Sequence, residues 1–368
     1  MLTKNQCTIA LLLFLWVAAC TKIDDNYKDL IQPGGRVYVE KADAVVRPGY
    51  KKVEIVWPRS ADPNVASAKI FWNNAADSVS ATIDPAADTI KVNVTGLEEQ
   101  YYSFTIRTYD RQGNSSVPVT VTGRAYGDNY INSLSNRFVQ SATSKSGILT
   151  INWGTAAVYN GEAGVELVYT TKSGSERTQV LPNSEILSTL ADYLPGTPLA
   201  YRSLFLADSN AVDTIYMPFA AIDEIGLDKT GWSLIAFSTQ HPGAENQAAN
   251  IIDGTYATRW HTLVPGSVYP HFVTVDMNAT VSFNKFSVQR TTYAVPAGDD
   301  RGPDTFQLLV SMDNTEWTDL GPFHFNRFSN DEQFYPIASK PKARYFKFVA
   351  TSGPLDYMAL GEISVYGF

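Results

Sequence analysis

The chain has 368 residues, 44% hydrophobic and 12% aromatic, with 29 Lys and Arg against 37 Asp and Glu for a formal net charge of -8. The acidity is spread along it, 18 basic against 23 acidic residues over 20–227 and 10 against 14 over 228–368, so no basic stripe exists to neutralise phosphates, which argues against a nucleic-acid partner. Its two cysteines, Cys7 and Cys20, both lie in the first twenty residues, and the rest of the chain has no thiol for a disulfide, a zinc site or a nucleophile.

Lys4 and an apolar run from Ile9 to Ala19 open the chain. The run is too short for a bilayer core of about 30 Å and reads as a signal sequence over residues 1–19. Val17-Ala18-Ala19-Cys20 resembles the bacterial lipobox, which implies that Cys20 is diacylated, becomes the first residue after cleavage and anchors the chain to a membrane through two or more acyl chains. Lys22-Ile23-Asp24-Asp25 resembles the surface-export signal of Bacteroidetes lipoproteins and implies an outer-membrane lipoprotein exposed at the cell surface. Residues 20–35 then read as a tether.

About 350 further residues exceed one ordinary core and predict two or three domains. Val, Thr and Tyr alternate without long helical periodicity, so the fold class is all-β. Strands are expected at Lys52 to Trp57, Ala68 to Trp72, Thr89 to Val94 and Tyr102 to Tyr109, and Asp110 to Asn114 turns the chain into Val117 to Val121. The plan recurs: Trp153 lies 96 residues after Trp57, Phe205 96 after Tyr109, and Leu190 93 after Leu97. These spacings predict two tandem fibronectin-III-like sandwiches, residues 36–127 and 135–222, with linkers near Arg124 to Ser135 and Pro218 to Thr230. The first repeat, with Trp57-Pro58, Ile70-Phe71-Trp72-Asn73, Tyr109 to Asn114 and Gly123 to Gly127, resembles an uncharacterised domain family common in Bacteroidetes lipoproteins. Residues 30–225 contain no histidine and no catalytic constellation, and read as a stalk.

From residue 230 to 368 the sequence changes character. Trp232-Ser233 opens the segment, Ala249 to Thr262 contains Ile252-Asp253-Gly254 and Thr258-Arg259-Trp260-His261, and Pro270 to Met277 forms the next strand. Phe306 to Ser311, Asp313 to Trp317, Ala343 to Phe348 and Gly361 to Gly367 follow in order. These blocks resemble the F5/8 type C (discoidin) domain, the fold that includes family 32 carbohydrate-binding modules. The resemblance implies a jelly-roll-like sandwich with ligand-bearing loops at one end.

Asp253-Gly254 followed by Thr258 makes a tight, oxygen-rich turn of the kind that suits Ca²⁺, which takes six to eight oxygens. The resemblance adds Glu362 from the last strand, so a structural calcium ion would tie the domain's opening turn to its closing strand. It also implies a sugar clamp at Glu245, His261 and Arg290, where a carboxylate accepts from a hydroxyl, a guanidinium donates to two and an imidazole does either. Galactose-binding members often carry an aromatic three positions after the histidine. Here that position is Val264, and Tyr293, Tyr269 or Phe323 is expected to supply the stacking face. His261 has a second reading as a loop brace bonded to backbone. His271 reads as a strand-entry residue, Arg259 and Trp260 as packing residues, and Asp299-Asp300 as a solvated rim.

The sequence thus predicts a non-catalytic surface lipoprotein that binds glycans, those of galactose type among them, beside outer-membrane glycan importer components. The alternative is a protein-binding adhesin or scaffold.

Overall fold

Alternation of buried and exposed side chains governs residues 38–368, which are the residues the computed structural model describes. Cys20, the signal sequence and the tether lie outside them. The first unit holds residues up to Ser133 together with Ala207–Asp213, and the second holds Leu134–Leu206 with Thr214–Phe368.

In the first unit, β1 (Val45–Gly49), β2 (Lys52–Pro58) and β5 (Thr89–Thr95) pair in the order β1-β2-β5. They face a sheet ordered β4-β3-β6-β7, from β4 (Asp77–Thr82), β3 (Val65–Trp72), β6 (Tyr101–Asp110) and β7 (Val119–Arg124). Because side chains point to opposite faces in turn, β6 sends Tyr102, Phe104 and Ile106 inward against Val53, Ile55 and Trp57 of β2. Each such side chain contributes about 1.5–3 kcal/mol of burial energy. The expected turn after β6 is closed by Asp110, whose carboxylate accepts from the backbone N–H of Gln112 (2.9 Å) and Asn114 (2.8 Å).

The second unit begins with the same plan. Strands β8 (Val139–Lys145), β9 (Ile148–Trp153) and β12 (Leu187–Leu190) form one face, and β10 (Glu162–Thr170), β11 (Glu176–Pro182), β13 (Leu199–Phe205) and β14 (Ile215–Tyr216) form the other. Strand order matches that of the first sandwich, and Trp57 and Trp153 are equally buried at equivalent places on β2 and β9. A buried ion pair replaces part of the apolar core here: Arg137 Nε donates to Glu162 at 2.6 Å, and its remaining nitrogens donate to the carbonyls of Glu185 and Asn183.

The segment expected as a linker at Pro218 to Thr230 is a seam of strands instead. After β15 (Ala220–Ala221), β16 (Ile225–Gly226) pairs in parallel with β8 and antiparallel with β25 (Glu362–Gly367). One sheet therefore runs from β12 through β9, β8 and β16 into the C-terminal domain. Lys285–Glu224 and Lys340–Asp223 pairs, both 2.6 Å, brace the seam. Two-residue strands carry too little periodicity to be read from sequence.

The C-terminal domain is organised by β19 (His271–Gln289), a 19-residue strand. Its first half pairs with β17 (Ser233–Phe237) and β23 (Lys342–Ser352), and its second half with β25 and β22 (Gln333–Pro336). Pairing with β23 continues across a register shift between Asp276 and Val281, where Asn278 takes φ +59, and pairing with β25 begins at Phe283. Strands β20 (Thr305–Ser311) and β21 (Thr318–His324) extend the first sheet, and β18 (Trp260–His261) pairs with β24 (Ala359–Leu360). Trp260, Phe283, Phe286, Phe306, Phe346 and Phe348 are fully buried between the layers. Trp260 fills the core and donates its indole N–H to Thr239 O at 2.9 Å.

Candidate functional site

The residues around β18 and β24 gather at one end of the C-terminal sandwich. His241 N–H donates to His261 O (2.7 Å) and Arg259 N–H to Glu245 O (3.2 Å), so the first loop is pinned to β18 from both sides. His261 is 3% exposed. Its Nδ1 lies 2.7 Å from Thr262 O and its Nε2 3.1 Å from an Arg301 Nη1. The backbone partner fixes a tautomer in which Nδ1 donates and Nε2 accepts. His261 therefore does brace its loop, while its other nitrogen orients a guanidinium.

Asp299 organises the site. It is 2% exposed, chelates Arg301 through both oxygens (Nε to Oδ1 2.8 Å) and lies 3.6 Å from Arg259. Burial alone raises a carboxyl, but the Arg301 hydrogen bonds and the charges of Arg301 and Arg259 outweigh it and hold Asp299 below its ordinary range. The expectation that Asp299 belongs to a solvated rim is corrected: only Asp300, 63% exposed at its side chain, lies in solvent. Arg259 is likewise more than a packing residue. Its Nε donates to Asn246 Oδ1 (2.8 Å), and its guanidinium lies over the Tyr293 ring, 4.8 Å from the centroid.

Glu245 sits beside Arg259 on the first loop, its Oε1 accepting from Asn246 Nδ2 at 3.1 Å. Glycine at 243 suits its φ of +106, a backbone conformation that residues with a side chain rarely adopt. The site thus unites Glu245, His261 and Tyr293 of the predicted residues.

Arg290 is not among them. It is 6% exposed, and its three nitrogens donate to Asn330 Oδ1, Arg327 O (3.0 Å) and Ala297 O (2.7 Å). Gly298 at φ +94 lets the loop lie directly on this guanidinium. Arg290 therefore braces the loop from within, while the Arg301 side chain stays 28% exposed. Tyr269 packs on His271 at 4.5 Å with its phenol pushed up to about 12 by burial, and Phe323 packs on Phe306 at 5.3 Å. Tyr357, stacked on His261 at 5.4 Å and 25°, stands beside Arg301, whose side chain is 28% exposed. The Asp-x-Arg spacing of 299 and 301 is the one sequence signal for this pair, and Tyr357 gave none.

At the opposite approach to the last strand, Asp253 accepts from Thr255 N–H (2.9 Å) and from the Thr258 hydroxyl. Glu362 accepts from Gly254 N–H (3.0 Å) and from Lys229. The three residues expected to hold calcium do converge. Burial first, and to a lesser degree the Asp253 carboxylate, push Glu362 up to about 8, while Lys229 and the Gly254 N–H act in the opposite direction. A cation held by Asp253, Thr258 and Glu362 would have to displace Lys229 from Glu362 and turn the Thr258 hydroxyl away from Asp253. Among the described residues no group of three or more His, Cys, Asp or Glu could hold a metal, so hydroxyl and carbonyl oxygens would have to complete the shell.

Comparison with known proteins places this geometry. Residues 233–363 match the F5/8 type C domain, and the C-terminal sandwich is a discoidin-type module. Residues 20–215, more than half the chain, match DUF4998, a domain of unknown function, and the chain belongs to that family. A curated sialidase of Micromonospora viridifaciens is 27% identical over 153 residues, which is 38% of this chain and 22% of that protein's length. Among solved structures, the C-terminal domain of a Bacteroides fragilis chitobiase is 26% identical, covering 39% of this chain and 97% of that one at a TM-score of 0.35. A family 32 module of Clostridium perfringens NanJ, solved with galactose, is 16% identical, covering 39% and 99% at 0.35.

Burial, and for His261 also the charges of Arg301 and Arg259, hold His261 and His271 below the ordinary histidine value of 6.5. The unfolded chain therefore takes up more protons than the folded one once pH falls below about 6.5, and stability drops with it. Denaturant midpoints measured at pH 7.5 and 5 are expected to show this loss. The double variant His261→Gln/His271→Gln should flatten the difference.

Proposed function

We propose that the protein is a non-catalytic, cell-surface lipoprotein that binds carbohydrate through its C-terminal domain, within a glycan-utilisation system and beside an outer-membrane importer. The observation that carries this reading is the Arg301 fork, chelated by a buried Asp299, oriented by His261 and left partly open beside the Tyr357 ring. A planar donor fixed in one geometry suits vicinal hydroxyls, and a ring beside it suits the C–H face of a pyranose. Galactose-type sugars present both features. Asp299 is unsuited to general acid or base work, because two guanidiniums hold it ionised and the loop shields it.

Arg301→Ala is expected to lower glycan affinity at least tenfold, about 1.4 kcal/mol, on a glycan array and by calorimetry with galactose. Arg301→Lys should recover little, since the fork geometry is lost. A silent array together with a captured protein partner would favour the adhesin reading instead.

Calcium belongs to the same proposal, held by Asp253, Thr258 and Glu362 as a structural ion. Added calcium should raise the melting temperature, and Asp253→Asn with Thr258→Ala should abolish the rise. Identical melting in calcium and in chelator would remove the ion from this account.

Anchoring through Cys20 completes it. Palmitate label is expected to enter the wild-type chain in a Gram-negative host and to be lost in Cys20→Ser.

A further inference from the structure

We propose that the first sandwich carries a saccharide-binding groove of its own, on the outer face of the β4-β3-β6-β7 sheet. Strands β3 and β6 turn Ile70, Phe104 and Ile106 into the core, so the residues between them project from the opposite face. Phe71 lies opposite Thr105 in that register. Together with the turn at the end of β3, this face encloses an open cavity of about 620 Å³, within the range of small-ligand sites.

The lining has the composition that sugars require. Tyr101 is 76% exposed and Phe71 half-buried, with Arg124 over the Tyr101 ring at 5.8 Å and Lys69 over the Phe71 ring at 5.1 Å. Asn74, Gln100 and Arg107 supply amide and guanidinium groups around them. Arg107 spends Nη1 on Ser116 O at 3.1 Å, and the side chains of Asn74 and Gln100 make no hydrogen bond among the described residues. This contrasts with Arg290, whose nitrogens are all engaged internally. No carboxylate lines the groove, so neutral and acidic sugars are both admissible.

The turn beside it closes the hairpin between β3 and β4, where Trp72 pairs with Asp77. Asn73, Asn74 and Ala75 take φ of +51, +55 and +66 in succession, a left-handed run in which alanine is unfavourable. It is held by Asn73 Nδ2 donating to Asp77 at 2.7 Å and by Ala76 N–H donating to Asn73 O at 3.1 Å.

The test uses the full chain on a glycan array that includes neutral galactans and polygalacturonate, comparing wild type, Tyr101→Ala, Arg107→Ala and Arg301→Ala. Tyr101→Ala and Arg107→Ala are expected to erase one set of signals, at least tenfold, that Arg301→Ala leaves intact. The exposed Tyr101 should be replaceable without change in melting temperature. If every signal disappears in Arg301→Ala and none in Tyr101→Ala, the C-terminal site stands and this groove is overturned. An array silent towards wild type overturns it as well, and signals lost only in a variant whose melting temperature also falls count against it.

Discussion

Asp299 is a carboxylate taken out of water between two guanidiniums, and the open end of the C-terminal sandwich depends on it. A buried charge of this kind is tolerable only when paired and hydrogen-bonded, and the loop that carries it is folded so that both conditions hold. Arg301 is fixed by Asp299 and then steadies His261, which in turn supports the Tyr357 ring. Arg259, drawn to the same carboxylate, covers Tyr293 and reaches the first loop through Asn246. Four loops are thereby set by one charge. Removing it would leave two guanidiniums facing each other, a larger disturbance than the loss of either arginine.

Much of the architecture was legible in the sequence, because period-two alternation reports directly on which face of a strand is buried. Tyr102 to Tyr109 and Lys52 to Trp57 show this, and the 96-residue interval between Trp57 and Trp153 marks two sandwiches with one strand order. The site was less legible. Arg290 and Arg301 are both arginines between β19 and β20, and nothing in their spacing says which one turns inward. Gly298 decides it, since only a residue without a Cβ allows the loop to close over Arg290. Asp299-Asp300 likewise reads as two solvated acids until the backbone sends the first inward and the second outward. Tyr357 is joined to His261 across 96 residues by the pairing of β18 with β24, a contact that no local pattern encodes.

The seam at β16 changes how the domains are connected. A flexible linker would leave the C-terminal module free to reorient about the second sandwich. A strand shared between β8 and β25, braced by Lys285–Glu224 and Lys340–Asp223, fixes it in that unit instead. A site on a rigid mount has a defined direction of presentation.

The central claim is that sugar is received by Arg301, His261 and Tyr357. It is tested most directly by following the side-chain resonances of the intact protein as galactose is added. The account predicts saturable shifts in the His261 imidazole and the Tyr357 ring, with that of Tyr345, which lies on β23 opposite Asp276, unmoved. Binding that leaves His261 and Tyr357 unchanged while shifting resonances elsewhere in the C-terminal domain would contradict it.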